Sequence, residues 1–336
     1  MFDKPTKELS CSQDHTLTIN MCYVMIINSY MGGIVMENNE VKSINERLRD
    51  ISIEWLNSDN VKKWIKRKGR AEDLKKWLDR NLKTDQYFIS EPFFFGVPEY
   101  EDKNKPLIMV VGQETDLYGN IENIIDKNGG VIEENIIKSQ SWVTEVTRHL
   151  NNTNYPPKWK SYTTTNDEDE IYLKKHSFFL FLIALSKKYN VCWNNLDKIH
   201  YTAEIDVVDY NNGKLKKKEK AVTLYVKDEK ILFGQQIDNG KTLLENEIDI
   251  IKPDMVLFVT GPNYKESMEY QLSNYKEIFG DNIPNINKED NEIVDGNEID
   301  GIKYYWTYHP VYLSRIKMTD KVIEALNNLL PDKSNI

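Results

Sequence analysis

The chain has 336 residues, of which 40% are hydrophobic and 29% are charged, and its formal net charge is -9. This composition is typical of a soluble globular protein, and the acidic balance argues against a nonspecific polyanion binder. The three cysteines are widely spaced, without a Cys-x-x-Cys pair, which excludes a recognisable disulfide framework, a zinc finger and a four-cysteine iron–sulfur cluster. We therefore expect a reducing, cytoplasmic location.

Residues 1–35 differ from the rest of the chain because they show no helical or strand period. The weakly apolar stretch from Met21 to Met36 is too polar for a membrane span and lacks the basic start of a signal peptide. We hypothesise that translation begins at Met36, because Gly32-Gly33 can be encoded by a ribosome-binding sequence. A disordered tail is the alternative, and the mass of the natively expressed protein decides between the two.

Residues 36–86 are predicted to be helical and basic. Apolar residues at helical spacing predict one helix from Val41 to Leu56 and a second from about Val61 to Leu82. Between Val61 and Lys83 there are ten Lys or Arg and three Asp or Glu. This cluster is either a solvated helix face or a contact surface for nucleic acid.

Residues 87–336 alternate between apolar strand-like runs and helical patterns. The strands begin near Leu107, Val191, Met255 and Lys303, and the alternation predicts an α/β three-layer sandwich with a mostly parallel four-stranded central sheet. An Asn212-Gly213 turn predicts a β-hairpin insertion at about residues 201–228. Residues 151–170 and 281–300 are polar and are predicted to be loops, whereas residues 171–189 are predicted to form a core helix.

Each predicted strand ends in polar residues. These ends are Gly112-Gln113-Glu114, Asn194-Asn195 in a polar elbow, Gly261-Pro262-Asn263 and His309. In a parallel sheet such ends meet at one edge, where ligands bind, so we expect them to form a pocket. Thr115 or Asp116 could instead cap a helix.

Three consecutive aromatic residues, Phe93-Phe94-Phe95, precede the first of these strands. We predict that they pack in the core. A stacking wall for a flat base is the less favoured alternative.

The order of the strand ends resembles the uracil-DNA glycosylase superfamily. In its best-known branch the first strand ends in Gly-Gln-Asp-Pro-Tyr-His, the last in His-Pro-Ser-Pro-Leu-Ser, and a middle strand supplies an Asn. The corresponding positions here are Gly112-Gln113-Glu114-Thr115-Asp116, His309-Pro310-Val311-Tyr312-Leu313-Ser314, and Asn194 or Asn195. The resemblance covers roughly Tyr87 to Leu330.

The resemblance implies hydrolysis of the N-glycosidic bond of a flipped-out uracil or modified pyrimidine, with no cofactor and no metal. It places Glu114, with Asp116 as the fallback, where a carboxylate stabilises the cationic sugar, and His309 where a histidine faces the base O2. The base-binding residues that it implies are Gly112, Gln113, Tyr118, Asn194 and Asn195. The DNA-binding residues that it implies are Tyr312, Leu313, Ser314 and Arg315, with Leu313 as the wedge that fills the gap left by the flipped nucleotide.

Two departures from the family pattern affect the expected substrate and DNA contacts. The family's Pro-Tyr is replaced by Thr115-Asp116, so the pocket is expected to admit a pyrimidine with a C5 substituent, with Tyr118 as a partial substitute for that Tyr. The first Ser of the His-Pro-Ser motif is Val311. The basic N-terminal helices and the lysines between Lys214 and Lys220 are then expected to bind DNA.

We therefore expect a monomeric DNA glycosylase that acts on double- or single-stranded DNA, without membrane association, in base-excision repair or anti-phage defence. One alternative is a catalytically inactive glycosylase-like module that binds DNA or protein. Another is an unrelated α/β hydrolase of nucleosides or small molecules. The sequence contains no Gly-x-Ser-x-Gly elbow and no Walker motif, which argues against a serine hydrolase and a P-loop enzyme.

Overall fold

The computed structural model describes residues 42–66, 87–114, 121–152, 158–160, 170–172, 177–199, 201–208, 215–222, 226–280 and 293–329. The described residues from Ser43 onward form one compact unit. The predictions for residues 1–35, for residues 67–82 of the second basic helix, and for Asp116 and Tyr118 lie outside the described residues.

The helices are numbered in chain order. Helices α1 to α10 occupy Ile44–Asn57, Asp59–Lys66, Glu133–Asn151, Ser177–Ser186, Val226–Phe233, Leu243–Ile251, Lys265–Gln271, Tyr275–Phe279, Pro310–Arg315 and Thr319–Asn327. Within the described ranges, no helix combines the length and the apolar content that crossing a bilayer requires.

The strands are numbered in the same way. Strands β1 to β10 occupy Tyr87–Ile89, Leu107–Glu114, Lys158–Lys160, Glu170–Tyr172, Asn190–Asp197, Tyr201–Val208, Leu215–Val222, Met255–Phe258, Ile293–Ile299 and Ile302–Thr307. They form a central five-stranded sheet, a three-stranded sheet and a two-stranded ribbon.

The central sheet has the strand order β5-β2-β8-β10-β9. The first four strands are parallel to one another, whereas β9 runs antiparallel to β10. Four consecutive residues of β2, from Ile108 to Val111, are fully buried. Since successive side chains of a strand point to opposite faces, both faces of the sheet are covered. The chain is therefore an α/β protein with a mostly parallel sheet.

The predicted number of four strands was wrong because residues 281–300, predicted to be a loop, contain the edge strand β9. An edge strand has one neighbour and needs fewer apolar residues than a central strand, so it is weakly marked in a sequence. Gly296 lies within β9 where its register with β10 shifts, and a Cβ at this position would lie 2.9 Å from the carbonyl oxygen of Tyr304. Such a close backbone approach requires a glycine.

The predicted hairpin is present as β6 and β7. These strands pair antiparallel from Tyr201 opposite Val222 to Val208 opposite Leu215, and β1 pairs with β6 on the other side. The second strand begins at Leu215 rather than at Ala221. Consequently the lysines that follow lie in a strand rather than at a hairpin tip.

The region before the core helix also differs from the prediction. Residues 158–160 and 170–172 pair as β3 and β4, so this segment is not entirely loop. Helix α4 begins at Ser177, whereas the prediction began it at Ile171. The apolar residues Ile171 and Tyr172 fit a helix or a strand equally well, and periodicity cannot separate the two over so few residues.

The N-terminal helices belong to the same compact unit as the sheet. Ser43 caps α1 through a capping box, in which its hydroxyl accepts from Glu46 N and its own N donates to Glu46 Oε2 at 2.7 Å. Trp55 and Trp64 are buried in a second hydrophobic cluster beside α5 and α6. The indole Nε1 of Trp55 donates to the carbonyl of Leu232 at 2.9 Å.

Candidate functional site

The strand ends that the sequence singled out meet at one edge of the central sheet. Val111 of β2 pairs with Phe258 of β8, which pairs with Trp306 of β10. Glu114 and His309 each come three residues after this row, so both backbones leave the sheet at the same edge. Two strands separated by a third lie about 10 Å apart, which allows residues on them to face one ligand.

Strand β8 lies between β2 and β10, and the chain leaves it through Gly261, which has no side chain. Gly261 has φ +73°, a conformation that favours glycine. The preceding residue, Thr260, is held on two sides: Nε2 of Gln113 donates to its carbonyl at 2.6 Å, and Nε1 of Trp306 donates to its hydroxyl at 3.2 Å. Gln113 therefore fixes the end of β8 with its amide nitrogen.

Gly112 brings β2 into close contact with two other elements. It pairs with Asn195 of β5, and a Cβ at Gly112 would lie 3.1 Å from Oδ1 of Asn195 and 3.2 Å from Cε2 of Phe178. The side chain of Asn195 is therefore adjacent to the ring of Phe178, which is the second residue of α4. Only glycine leaves room for this arrangement.

Asn195 has an unsatisfied donor. The residue is 3% exposed, and its Nδ2 has no hydrogen-bond partner among the described residues. Leaving a buried donor unpaired costs about 1–3 kcal/mol. An unpaired amide beside an aromatic ring, at the ligand-binding edge of a parallel sheet, indicates a binding site for an acceptor.

His309 joins this cluster through Phe178. The two rings are stacked, with centroids 6.0 Å apart and planes inclined by 14°. Both side chains are partly exposed, so part of each ring is accessible to a ligand. Phe178, the second residue of α4, thus connects the ring of His309 with the side chain of Asn195.

The orientation and charge of His309 follow from its position before α9. The backbone N–H of Val311 donates to Nδ1 of His309 at 3.3 Å, so the neutral imidazole carries its proton on Nε2. Burial lowers the pKa of His309 below its ordinary value of 6.5. At neutral pH the ring is therefore uncharged and has Nε2–H as its donor.

Asn194 faces a different environment from its neighbour. Its Nδ2 donates to Oε2 of Glu247 at 2.8 Å, and its Oδ1 accepts from Nζ of Lys198 and from the N of Asn195. Lys198 and Glu247 form a salt bridge of 2.8 Å, and their side chains are 2% and 1% exposed. We call Asn194, Lys198 and Glu247 the buried ionic network. Asn194 is thus occupied by protein contacts, which leaves Asn195 as the asparagine available to a ligand.

The predicted polar elbow around Asn194 and Asn195 was wrong, since both residues lie inside β5, which continues to Asp197. Asparagine is depleted in strands, which made an elbow the natural interpretation. Here the buried ionic network holds Asn194 in the strand. Within this network burial lowers the pKa of Lys198, and the charge of Glu247 opposes that shift.

The residues after His309 form helix α9, which the sequence did not predict. Leu313 is fully buried in the main core, so its predicted role as a DNA wedge does not fit its position. Pro310 and Leu313 are three residues apart on the helix and face inward together. Tyr312, Ser314 and Arg315 are exposed, as DNA contacts would need to be.

The aromatic residue of the site was not identified from the sequence. Phe93, Phe94 and Phe95 are buried, which confirms core packing for the three consecutive phenylalanines. Phe178 contacts the site instead. It is the first apolar residue of the run in α4. Its position at the start of a helix was the feature of the sequence that could have marked it as a site residue.

Glu114 is the last residue of β2, and its backbone pairs with Asp197 of β5. Its side chain, and the whole of Asp116 and Tyr118, lie outside the described part of the chain. Within that part, no group of three or more His, Cys, Asp or Glu residues is arranged to hold a metal ion.

No protein-family model matches this chain, and no curated protein matches it. The resemblance to uracil-DNA glycosylases therefore depends on the strand-end residues themselves.

Proposed function

We propose that this protein is a monofunctional DNA glycosylase that removes a flipped-out uracil or modified pyrimidine and leaves an abasic site. The observation that carries the proposal is the cluster of Gly112, Asn195, Phe178 and His309 at the carboxyl edge of the parallel sheet. This cluster contains two neutral donors, Nδ2 of Asn195 and Nε2 of His309, and the aromatic ring of Phe178. Asn195 belongs to β5, the strand next to β2. A flat base with oxygen acceptors matches these groups.

The base is bound by stacking and by hydrogen bonds. A nucleotide that leaves the DNA stack loses a few kcal/mol of stacking and pairing, which contacts in the pocket must offset. The accessible part of the Phe178 ring provides an aromatic surface, and Nδ2 of Asn195 donates to an oxygen of the base. The absence of a side chain at Gly261 allows the base to approach the backbone closely, whereas the space at Gly112 is taken by Asn195 and Phe178.

The reaction breaks the bond between C1′ of the sugar and the ring nitrogen of the base. The electron pair of this bond goes to the base, which departs as an anion. Nε2–H of His309 donates to the base oxygen on which this charge develops. This donor is already in place, so the charge is stabilised without rearrangement.

The carboxylate after β2 completes the reaction. In the proposal Glu114, or Asp116 in its place, stabilises the cationic sugar and orients a water molecule, whose oxygen bonds to C1′. The water proton passes through the carboxylate to solvent, and the base anion takes up a proton after it departs. We further propose that the fold is the three-layer form of the family, and that the protein acts as a cytoplasmic monomer, because one chain supplies every group.

The test is a cleavage assay on duplex and single-stranded oligonucleotides that contain uracil, other damaged bases or hypermodified cytosines, followed by alkali. We expect strand breaks with the wild-type protein and at least about 100-fold slower excision for His309→Ala and Glu114→Gln. Matched controls are His149→Ala on α3 and Glu99→Gln, an exposed residue in the loop before β2. Both should retain activity.

Two outcomes contradict the proposal. Binding of DNA without breaks on any substrate indicates a catalytically inactive module, and cleavage of free nucleosides alone indicates a small-molecule hydrolase. Excision of uracil indicates base-excision repair, whereas excision confined to hypermodified bases indicates defence against phage DNA.

A further inference from the structure

A second buried donor lies on the same strand face as Asn195. Trp193 is 4% exposed, and its indole Nε1 has no hydrogen-bond partner among the described residues. A buried tryptophan N–H usually has a partner, because an unpaired donor in the interior is unfavourable. Phenylalanine would fill an apolar site without this cost. The N–H therefore indicates an acceptor that is supplied from outside the chain.

The geometry of the sheet connects Trp193 with the proposed base site. Trp193 and Asn195 are two residues apart in β5, so their side chains share one face, about 7 Å apart along the strand. The ring of Phe178 lies 5.9 Å from the ring of Trp193, and the same phenylalanine contacts the position of Gly112. Phe93 and Phe179 pack against the indole at 4.8 Å and 5.7 Å between centroids. The indole of Trp193 thus packs against three rings, one of which, Phe178, also belongs to the cluster at the edge of the sheet.

We propose that Trp193 Nε1 donates a hydrogen bond to an oxygen on a substituent at ring position 5 of the excised pyrimidine. This inference rests on the proposed function and specifies its substrate class. The sugar of a bound nucleotide lies toward the carboxyl edge of the sheet, where Glu114 ends β2. Trp193 comes two residues earlier in β5 and is deeper, so it faces the edge of the base that is remote from the sugar. In this orientation Nδ2 of Asn195 donates to the group at ring position 4, and Nε1 of Trp193 faces the substituent at ring position 5.

The experiment compares two bases whose substituents at ring position 5 differ in a single non-hydrogen atom. Oligonucleotides carry 5-hydroxymethyluracil or 5-ethyluracil, in which a methyl group replaces the hydroxyl at nearly equal size, and uracil serves as the reference. The wild-type protein should excise 5-hydroxymethyluracil about 10-fold faster than 5-ethyluracil, the effect of one buried hydrogen bond. In Trp193→Phe this ratio should fall to about one, with each rate divided by the rate of the same variant on uracil.

Trp55→Phe is the matched control because Trp55 Nε1 has a partner, the carbonyl of Leu232. Both substitutions remove the same volume, but only Trp55→Phe removes a hydrogen bond of the free protein. We therefore expect a larger drop in melting temperature for Trp55→Phe than for Trp193→Phe, with the excision ratio of Trp55→Phe unchanged. If Trp193→Phe does not fold, the wild-type ratio still tests the inference.

Three outcomes overturn the inference. Equal excision of the two substituted bases by the wild-type protein, or an unchanged ratio in Trp193→Phe, shows that the indole does not read the substituent, while excision of uracil in the same assay preserves the proposed function. Failure to form an abasic site on all three bases overturns the inference, and the proposed function falls with it when the wider panel of damaged bases and hypermodified cytosines also gives no strand breaks.

Discussion

The two faces of β5 place adjacent asparagines in opposite situations. Asn194 makes three hydrogen bonds within the buried ionic network, whereas Nδ2 of Asn195 is unpaired beside Phe178. Both residues are buried and chemically identical. The difference shows that burial of a polar residue alone does not indicate function; the partners of its donors and acceptors do. One face of β5 carries the buried ionic network, and the other carries the unpaired donor that we propose binds a ligand.

The largest expected effect is on the face of β5 that carries the buried ionic network. Glu247→Gln removes the charge that compensates Lys198, and an unpaired buried charge destabilises a protein by about 3–5 kcal/mol. The free energy of unfolding from urea titration measures this loss. The control is Asp249→Asn, which breaks the exposed pair with Lys241 and should cost less than about 1 kcal/mol. Similar losses for the two variants would show that the network does not stabilise the fold.

The asparagines themselves give the sharpest test of the comparison. Asn194→Ala removes one of the two acceptors of Lys198, which keeps Glu247, and removes the amide donor of Glu247 and the side-chain acceptor of the Asn195 N–H, so we expect a stability loss of about 1–3 kcal/mol. Asn195→Ala removes a donor that has no partner among the described residues and should destabilise less, while excision slows by about 100-fold. Urea titration and the cleavage assay on both variants check this. If Asn194→Ala slowed excision more and Asn195→Ala destabilised the protein more, the Asn194 face would be the one that binds the ligand.

Gly112→Ala should obstruct the ligand-facing side. The added methyl group would lie 3.1 Å from Asn195 Oδ1 and 3.2 Å from Phe178 Cε2, so both side chains must shift. Overpacking of this kind costs about 1–3 kcal/mol, and we expect the lower end because Phe178 is partly exposed and can move. When both are expressed as free energies, the slower excision rate should correspond to a larger loss than the decrease in the free energy of unfolding. Unchanged excision would show that this contact lies outside the site.

The smallest expected effect is a pH dependence. Burial lowers the pKa of His309, so the unfolded chain binds a proton near pH 6.5 before the folded chain does. Stability should therefore fall as the pH drops from about 6.5 through the lowered pKa, and His309→Gln should reduce that fall.

The control for this pH dependence is His149→Gln. Burial, and then the charge of Arg148, lower the pKa of His149 as well. This variant should also change the acid dependence of stability, but the pH profile of excision should stay the same. A change in that profile would contradict the assignment of His309 as the donor to the base.

The sequence was sufficient for the parts of the fold that carry a strong local pattern. The apolar runs at Leu107 and Met255 predicted two buried parallel strands, and the polar residues after them marked the edge at which the candidate site lies. The strand β9 was not predicted because an edge position demands little apolar character. The inward position of Leu313 depends on helix α9, which the His-Pro-Val-Tyr sequence does not specify by itself.

The site could be predicted only in outline. Asn194 and Asn195 are equivalent in the sequence, because their difference depends on Glu247, which lies more than fifty residues away. Phe178 belongs to a run that any core helix could contain. The roles of Asn195 and Phe178 both depend on tertiary contacts between distant segments. Local patterns in a single sequence do not show which distant segments come into contact.

The hydrogen bond from Val311 N to His309 Nδ1 has a consequence for binding kinetics. Rotation of the imidazole would break the bond that caps α9, so the ring is held in one rotamer and one tautomer in the free protein. A ligand therefore meets a preorganised group, and little side-chain entropy is lost on association. For the glycosylase that we propose, encounter should then be limited by the rate at which the nucleotide leaves the DNA helix rather than by adjustment of the protein.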